Sequence, residues 1–195
     1  MIGIIDYGMG NLRSVQKAVE YLGGKAVISS DAAVLNGCGR LILPGVGSFG
    51  AGMENLKAAG MDNYVLRRVE DTPLLGICLG MQFLLAESEE EGVHAGLGLV
   101  PGRVRRFTEG KIPQMGWNGV YAMKSPLFEG IPDGTCFYFV HSYFADAAEE
   151  NIIGKTEYYR EYASAVAAGN AYGVQFHPEK SGDAGLQLLR NFMKL

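Results

Sequence analysis

The sequence predicts an α/β fold, a three-layer sandwich around a mixed, mainly parallel central sheet. Three observations lead there. Short apolar runs without polar alternation, such as Leu41 to Leu43 and Leu74 to Ile77, suit strands buried on both faces. Segments of helical periodicity lie between those runs, as the crossovers of parallel pairing require. Finally, glycine-rich turn clusters follow the strand ends, at Asp6 to Asn11 and at Gly45 to Gly50.

Each element follows from its residues. Met1 to Ile5 is apolar and β-branched apart from Gly3, and the turn cluster after it ends the strand. Leu12, Val15, Val19 and Leu22 then recur at helical spacing, and Gly23-Gly24 stops the helix. Lys25 to Ser29 reads as a second strand and Leu41 to Pro44 as a third, followed by helical patterns through Gly52 to Arg68. Leu74 to Ile77 is the fourth strand. Leu79 to Ala86 reads as a helix apolar on most sides, hence buried. From Gly96 to Phe176 the pattern changes to short strands and turns, with Cys136 to Phe144 as one aromatic-rich strand. No linker of Pro, Ser or charged residues separates the halves, so these strands read as additions to one sheet. Gly185 to Leu195 forms a closing helix with Leu186, Leu189 and Phe192 or Met193 on one face. The acidic run Glu87 to Glu91 would oppose the dipole of the helix before it and reads as a solvated tip.

The chain has 195 residues, 48% apolar and 19% charged, which fits a single domain over 1–195 with one well-buried core. Its 17 basic and 21 acidic residues give a net charge of -4, so no footprint for nucleic acid or an anionic membrane is present. The longest uncharged stretch, Tyr162 to Pro178, falls short of the ~20 apolar residues of a membrane span. Met1-Ile2-Gly3-Ile4 lacks the basic and apolar regions of a secretion signal, so a cytoplasmic location is expected. Cys38, Cys78 and Cys136 are odd in number and lack CxxC spacing, so neither a disulfide framework, a metal centre nor a cofactor is expected.

Cys78 is set apart by its context. Gly76-Ile77-Cys78-Leu79-Gly80 lies between an apolar strand and an apolar helix, where small neighbours allow a nucleophile elbow. A helix N-terminus at that point favours thiolate, and the Leu79 N–H then faces an attacked carbonyl. The elbow by itself leaves a second reading open, a small buried hydrophobe. Cys38, in a loop, and Cys136, in an apolar strand, read as structural. A nucleophile also needs a base, and the histidines are His94, His141 and His177. His177 precedes Pro178, which favours extended backbone, so Glu179 projects to the same side and can orient the imidazole.

The elbow Gly76 to Gln82 together with Phe176-His177-Pro178-Glu179 resembles the class I, or triad, glutamine amidotransferases along essentially the whole chain. Further motifs resemble the branch that supplies ammonia in histidine biosynthesis: Tyr7 to Leu12, Pro44 to Gly47, Met115 to Asn118, Phe139 to Tyr143 and His177 to Ser181. The resemblance implies that Cys78 attacks the carboxamide of glutamine, His177 transfers the proton and Glu179 holds His177. It implies oxyanion or substrate roles for Val46, Gly47, Leu79, Gln82, Ser142 and Tyr143, and a substrate-orienting or structural role for His141. It also implies a heterodimer with a β/α-barrel cyclase, with Asn11, Trp117, Asn118, Tyr138 and Lys180 at the interface. Gln114 stands where relatives often have His. Rival readings are a glutaminase of another pathway, a regulatory module that has kept only the elbow fold, and a cysteine esterase or peptidase.

Overall fold

A computed structural model describes residues 1–195. The first half alternates strand and helix in the order β1 (Ile2–Ile5), α1 (Leu12–Tyr21), β2 (Ala26–Ser29), α2 (Ala32–Asn36), β3 (Arg40–Gly45), α3 (Phe49–Ala58), α4 (Met61–Arg68), β4 (Leu74–Cys78) and α5 (Leu79–Gln82). The second half is β5 (Leu85–Ser88), β6 (His94–Ala95), β7 (Val100–Arg106), β8 (Gln114–Gly119), β9 (Cys136–His141), β10 (Tyr143–Ala147), β11 (Ile152–Glu157), β12 (Glu161–Ala168), β13 (Ala171–Val174) and α6 (Gly182–Phe192).

The main sheet is mixed, with strand order β2-β1-β3-β4-β13-β12-β10-β7-β5-β6 and β11 beside β12. Its β2-β1-β3-β4-β13 portion is parallel throughout, whereas β12, β10 and β11 pair antiparallel. Parallel strands covered on both faces must place alternate side chains in different cores, and they do. Ile2, Ile4, Ile42, Leu75 and Ile77 point to one core, which α1 and α6 close with Val15, Val19, Leu188, Leu189 and Phe192. Ile5, Leu41, Leu43 and Leu74 point to the other, closed from α2, α3 and α4 by Leu35, Phe49, Met53, Leu56, Met61 and Val65. These two cores are the two interfaces of a three-layer sandwich.

Three expectations change. The helix expected over Leu79 to Ala86 ends at Gln82, and Leu85–Ser88 is a strand. From Leu85 the chain instead pairs with β6 and β7, with Leu85 opposite Val100 and Glu87 opposite Ala95, which requires extended backbone. In an all-apolar run such as this, periodicity cannot separate helix from strand. The strand expected over Cys136 to Phe144 breaks at Ser142. Its first part, β9, pairs with β8 in a separate two-stranded sheet, and its second part, β10, enters the main sheet. Cys136, at the start of β9, is exposed rather than buried in the strand.

The acidic run is also not a free tip. Glu90 Oε2 accepts a 2.6 Å hydrogen bond from the N–H of Phe49 at the start of α3, where a negative charge complements the helix dipole. Glu89 accepts from the N–H of Arg106 at 2.9 Å, and Glu87 lies 3.4 Å from Arg103.

Candidate active site

The site is built where β4 gives way to α5. Cys78 adopts φ +55°, ψ −111°, a left-handed conformation unusual for a residue with a Cβ. Local close packing explains why the chain accepts it. A Cβ on Gly80 would land on the carbonyl oxygen of Leu43, and one on Gly76 would lie 2.6 Å from the carbonyl oxygen of Gly80. Only glycine at both positions lets α5 press against β3 and β4 and turn the cysteine outward. Parallel pairing of Gly45 with Cys78 brings the end of β3 alongside, so Val46 and Gly47 sit next to the elbow.

His177 arrives from the far end of the chain, two residues beyond Gln175 and just past β13, which lies next to β4. Its N–H donates to the carbonyl of Tyr138 on β9 at 2.9 Å, and Ser181 ties the same corner, donating to the His177 carbonyl at 2.6 Å and accepting from the Tyr138 N–H at 3.0 Å. The imidazole Nδ1 meets Glu179 Oε1 at 2.9 Å, with both side chains almost fully buried. The other carboxylate oxygen, Oε2, has no partner, so the buried negative charge relies on the ring beside it.

Burial pushes the His177 pKa down, but the Cys78 sulfur and the hydrogen-bonded Glu179 carboxylate outweigh it and raise the ring to about 9. The unfolded value is about 6.5, so the pair's contribution to stability is complete below that pH and is lost as pH rises through about 9. The melting temperature of the wild type is therefore expected to fall as pH rises from about 6.5 toward 9. In Glu179→Gln this component of the fall should shrink, because the folded pKa moves back toward the unfolded one. Parallel melting curves across that range would check it, and identical pH slopes for the two proteins would contradict it.

Around these residues lies a cleft of about 330 Å³ lined by Val46, Gly47, Cys78, Leu79, Gln82, Glu90, His141, Ser142, Tyr143 and His177. That volume is near the small end of the ~300–1,000 Å³ of small-molecule sites and suits a ligand of amino-acid size. Gln82 sits one turn after Cys78 and donates to the carbonyl of Tyr143 at 3.1 Å and to Gln175 Oε1 at 3.0 Å. His141 is engaged at both nitrogens, Nδ1 with the Tyr143 carbonyl at 2.7 Å and Nε2 with the Tyr162 hydroxyl at 3.2 Å. Burial drives its pKa down to about 4, so it is neutral at pH 7 and a weak base. Gln114 is buried, with its side-chain amide 2.9 Å from that same Tyr162 hydroxyl.

The residues expected at an interface lie apart from the cleft. Trp117 is 59% exposed, which rules out a core role. It makes an edge contact with Tyr138 across the β8–β9 ladder, and Lys180 Nζ stands 6.0 Å from the Tyr138 ring centre. Asn118, beside Trp117, donates to the carbonyl of Glu157 at 2.9 Å, and Asn11 stands half-buried at the start of α1. Sequence reasoning missed Glu90 and Gln175. Glu90 is concealed by its acidic neighbours, and Gln175 carries no signal beyond its place before Phe176-His177.

Residues 3–195 match the family described as glutamine amidotransferase class-I. The chain belongs to that family. This amidotransferase is 52% identical over 198 residues to the imidazole glycerol phosphate synthase subunit HisH of Methanocaldococcus jannaschii, with 100% of both chains covered. It is 50% identical to the protein of that name from Chlorobium luteolum, over 98% of each chain. Among solved structures, one titled PurLQS from Thermotoga maritima superposes with a TM-score of 0.79 at 19% identity, covering 99% of this chain and 97% of that one. At that identity the likeness is one of fold, and it agrees with the mixed sheet described above. No helix of the amidotransferase is long and apolar enough to cross a membrane.

Proposed function

We propose that this chain is the glutamine-hydrolysing subunit of an imidazole glycerol phosphate synthase in histidine biosynthesis, and that Cys78, His177 and Glu179 carry the hydrolysis. The observation that carries the reading is the buried His177–Glu179 pair facing an elbow cysteine at the base of a cleft of amino-acid size.

The steps follow from the groups present. The Cys78 thiolate attacks the side-chain carbonyl carbon of glutamine, and the C=O electron pair moves to oxygen. The N–H groups of Leu79 and of the Val46–Gly47 turn supply the nearest donors for that oxyanion, where losing one donor typically costs ~10² to 10³ in rate. Protonated His177 gives its Nε2 proton to the amide nitrogen, the C–N bond breaks and ammonia leaves. Neutral His177 then takes a proton from water as the water attacks the γ-glutamyl thioester. The thiolate leaves, and glutamate is released. Glu179 keeps the ring in one orientation and balances its charge throughout. Glu90, at the rim, places a carboxylate where the α-ammonium group of an amino acid can meet it.

Ammonia released into neutral water becomes ammonium, which lacks a lone pair for attack, so a sheltered route to an acceptor enzyme is needed. A β/α-barrel cyclase fits that role, docked on Asn11, Trp117, Asn118, Tyr138 and Lys180. The exposed tryptophan is the kind of anchor found at interface centres. Mixing this chain with such a cyclase, glutamine and the cyclase's phosphoribosyl ligand tests the reading. Glutamate release should rise on assembly, and glutamine nitrogen should appear in the cyclised product. Equal turnover alone and in the mixture, with no nitrogen transfer, would exclude this partner.

A further inference from the structure

Gln175 is fully buried one residue past β13, anchored by a 2.9 Å bond from its N–H to the Ser164 carbonyl. Its side-chain Nε2 lies 3.7 Å from the Cys78 sulfur. We propose that Gln175 is a catalytic residue whose side-chain N–H donates to the Cys78 sulfur and holds it as thiolate.

The direction of that bond is set by a chain of polar groups that begins at a backbone carbonyl. The carbonyl oxygen of Tyr143 can only accept, so the Gln82 group 3.1 Å from it must be the NH₂ end. The same NH₂ faces the Gln175 side chain at 3.0 Å, which must therefore present its oxygen. With its oxygen committed to Gln82, Gln175 can turn only its NH₂ toward the sulfur. Rotating either amide would set two donors or two acceptors face to face in a water-free interior. Such a chain also polarises its members, so the donor at its end is strengthened.

The need for this donor comes from the fold. The helix after Cys78 is only four residues long, a single turn, so its dipole gives the sulfur little support. His177 lies on one side of the thiolate, and Gln175 supplies a second contact beside it. Its contribution is greatest when charge returns to sulfur, as the thioester is cleaved and the thiolate leaves. Loss of this donor should therefore lower kcat.

The proposal rests on Cys78 being the nucleophile, but its test involves no glutamine. Alkylation of Cys78 by iodoacetamide, followed on the Cys78 peptide as a function of pH, reports the thiolate directly. In Gln175→Met the midpoint should move up by about one pH unit, leaving about tenfold less thiolate below it. Gln175→Glu keeps an acceptor for Gln82 but turns a carboxylate toward the sulfur, and its midpoint should move further in the same direction. An unmoved midpoint in either folded variant overturns the proposal. Should neither variant fold, the wild type decides. The side-chain amide resonance of Gln175 should shift as Cys78 titrates and stay fixed in Cys78→Ala; a resonance indifferent to that titration overturns the proposal as well. If Cys78→Ala retained glutaminase activity, the nucleophile assignment would fail separately.

Discussion

Cys78→Ala is expected to lower glutamate release by roughly 10⁴-fold or more, the scale on which a nucleophile knockout acts within a triad. Its fold should be kept. Alanine retains the Cβ, so the backbone strain at φ +55° is unchanged, and the sulfur is only a small part of the buried surface. Synthase activity supplied with free ammonia should therefore survive in the proposed complex, in which the ammonia-consuming site would belong to the partner. Measuring both activities on one preparation separates a chemical defect from a structural one. Near-normal glutaminase activity would end the assignment of Cys78. Loss of both activities would point to misassembly, which circular dichroism and co-elution with the partner would reveal.

The second large effect is on stability. Gly80→Ala should destabilise the fold by on the order of 4 kcal/mol or more, beyond the usual 1 to 3 kcal/mol of overpacking, since the added methyl meets a backbone carbonyl that cannot rotate away. A domain with a total stability of ~5 to 15 kcal/mol would lose a large part of it. Any folded remainder would hold the elbow displaced from His177 and be nearly inactive. Gly39→Ala is the matched control. A Cβ there meets nothing within 4 Å, and the change should stay within ~0.5 kcal/mol. Denaturant melts of the two variants should differ by several kcal/mol, and similar midpoints would show that α5 can shift off β3 without cost.

The parallel half of the sheet was legible because burial on both faces leaves an unbroken apolar run, as at Leu41 to Leu43. The elbow was legible because glycines flank Cys78 on both sides. What stayed hidden depended on partners distant in sequence. Nothing near Ser142 says that the strand before it and the strand after it will join different sheets. The early end of α5 is decided by β6 and β7, with which the chain from Leu85 pairs as a strand. Asp31 accepts from the Ala33 N–H at 2.8 Å and starts α2, a helix too short for its periodicity to be noticed. Glu90 was misread because the dipole of the helix before it was considered without the N-terminus of α3. The residues around the cleft that belong to local motifs could be named from the sequence, whereas Gln175, whose contacts with Gln82 and Cys78 lie across the interior, could not.

The strand carrying Tyr138 does two jobs at once. Its aromatic ring faces outward beside Trp117, while its own peptide group grips the N–H of His177 and the hydroxyl of Ser181. The backbone that carries the outward ring and the backbone that carries the imidazole are thus joined directly, so a displacement of β9 would carry the base with it.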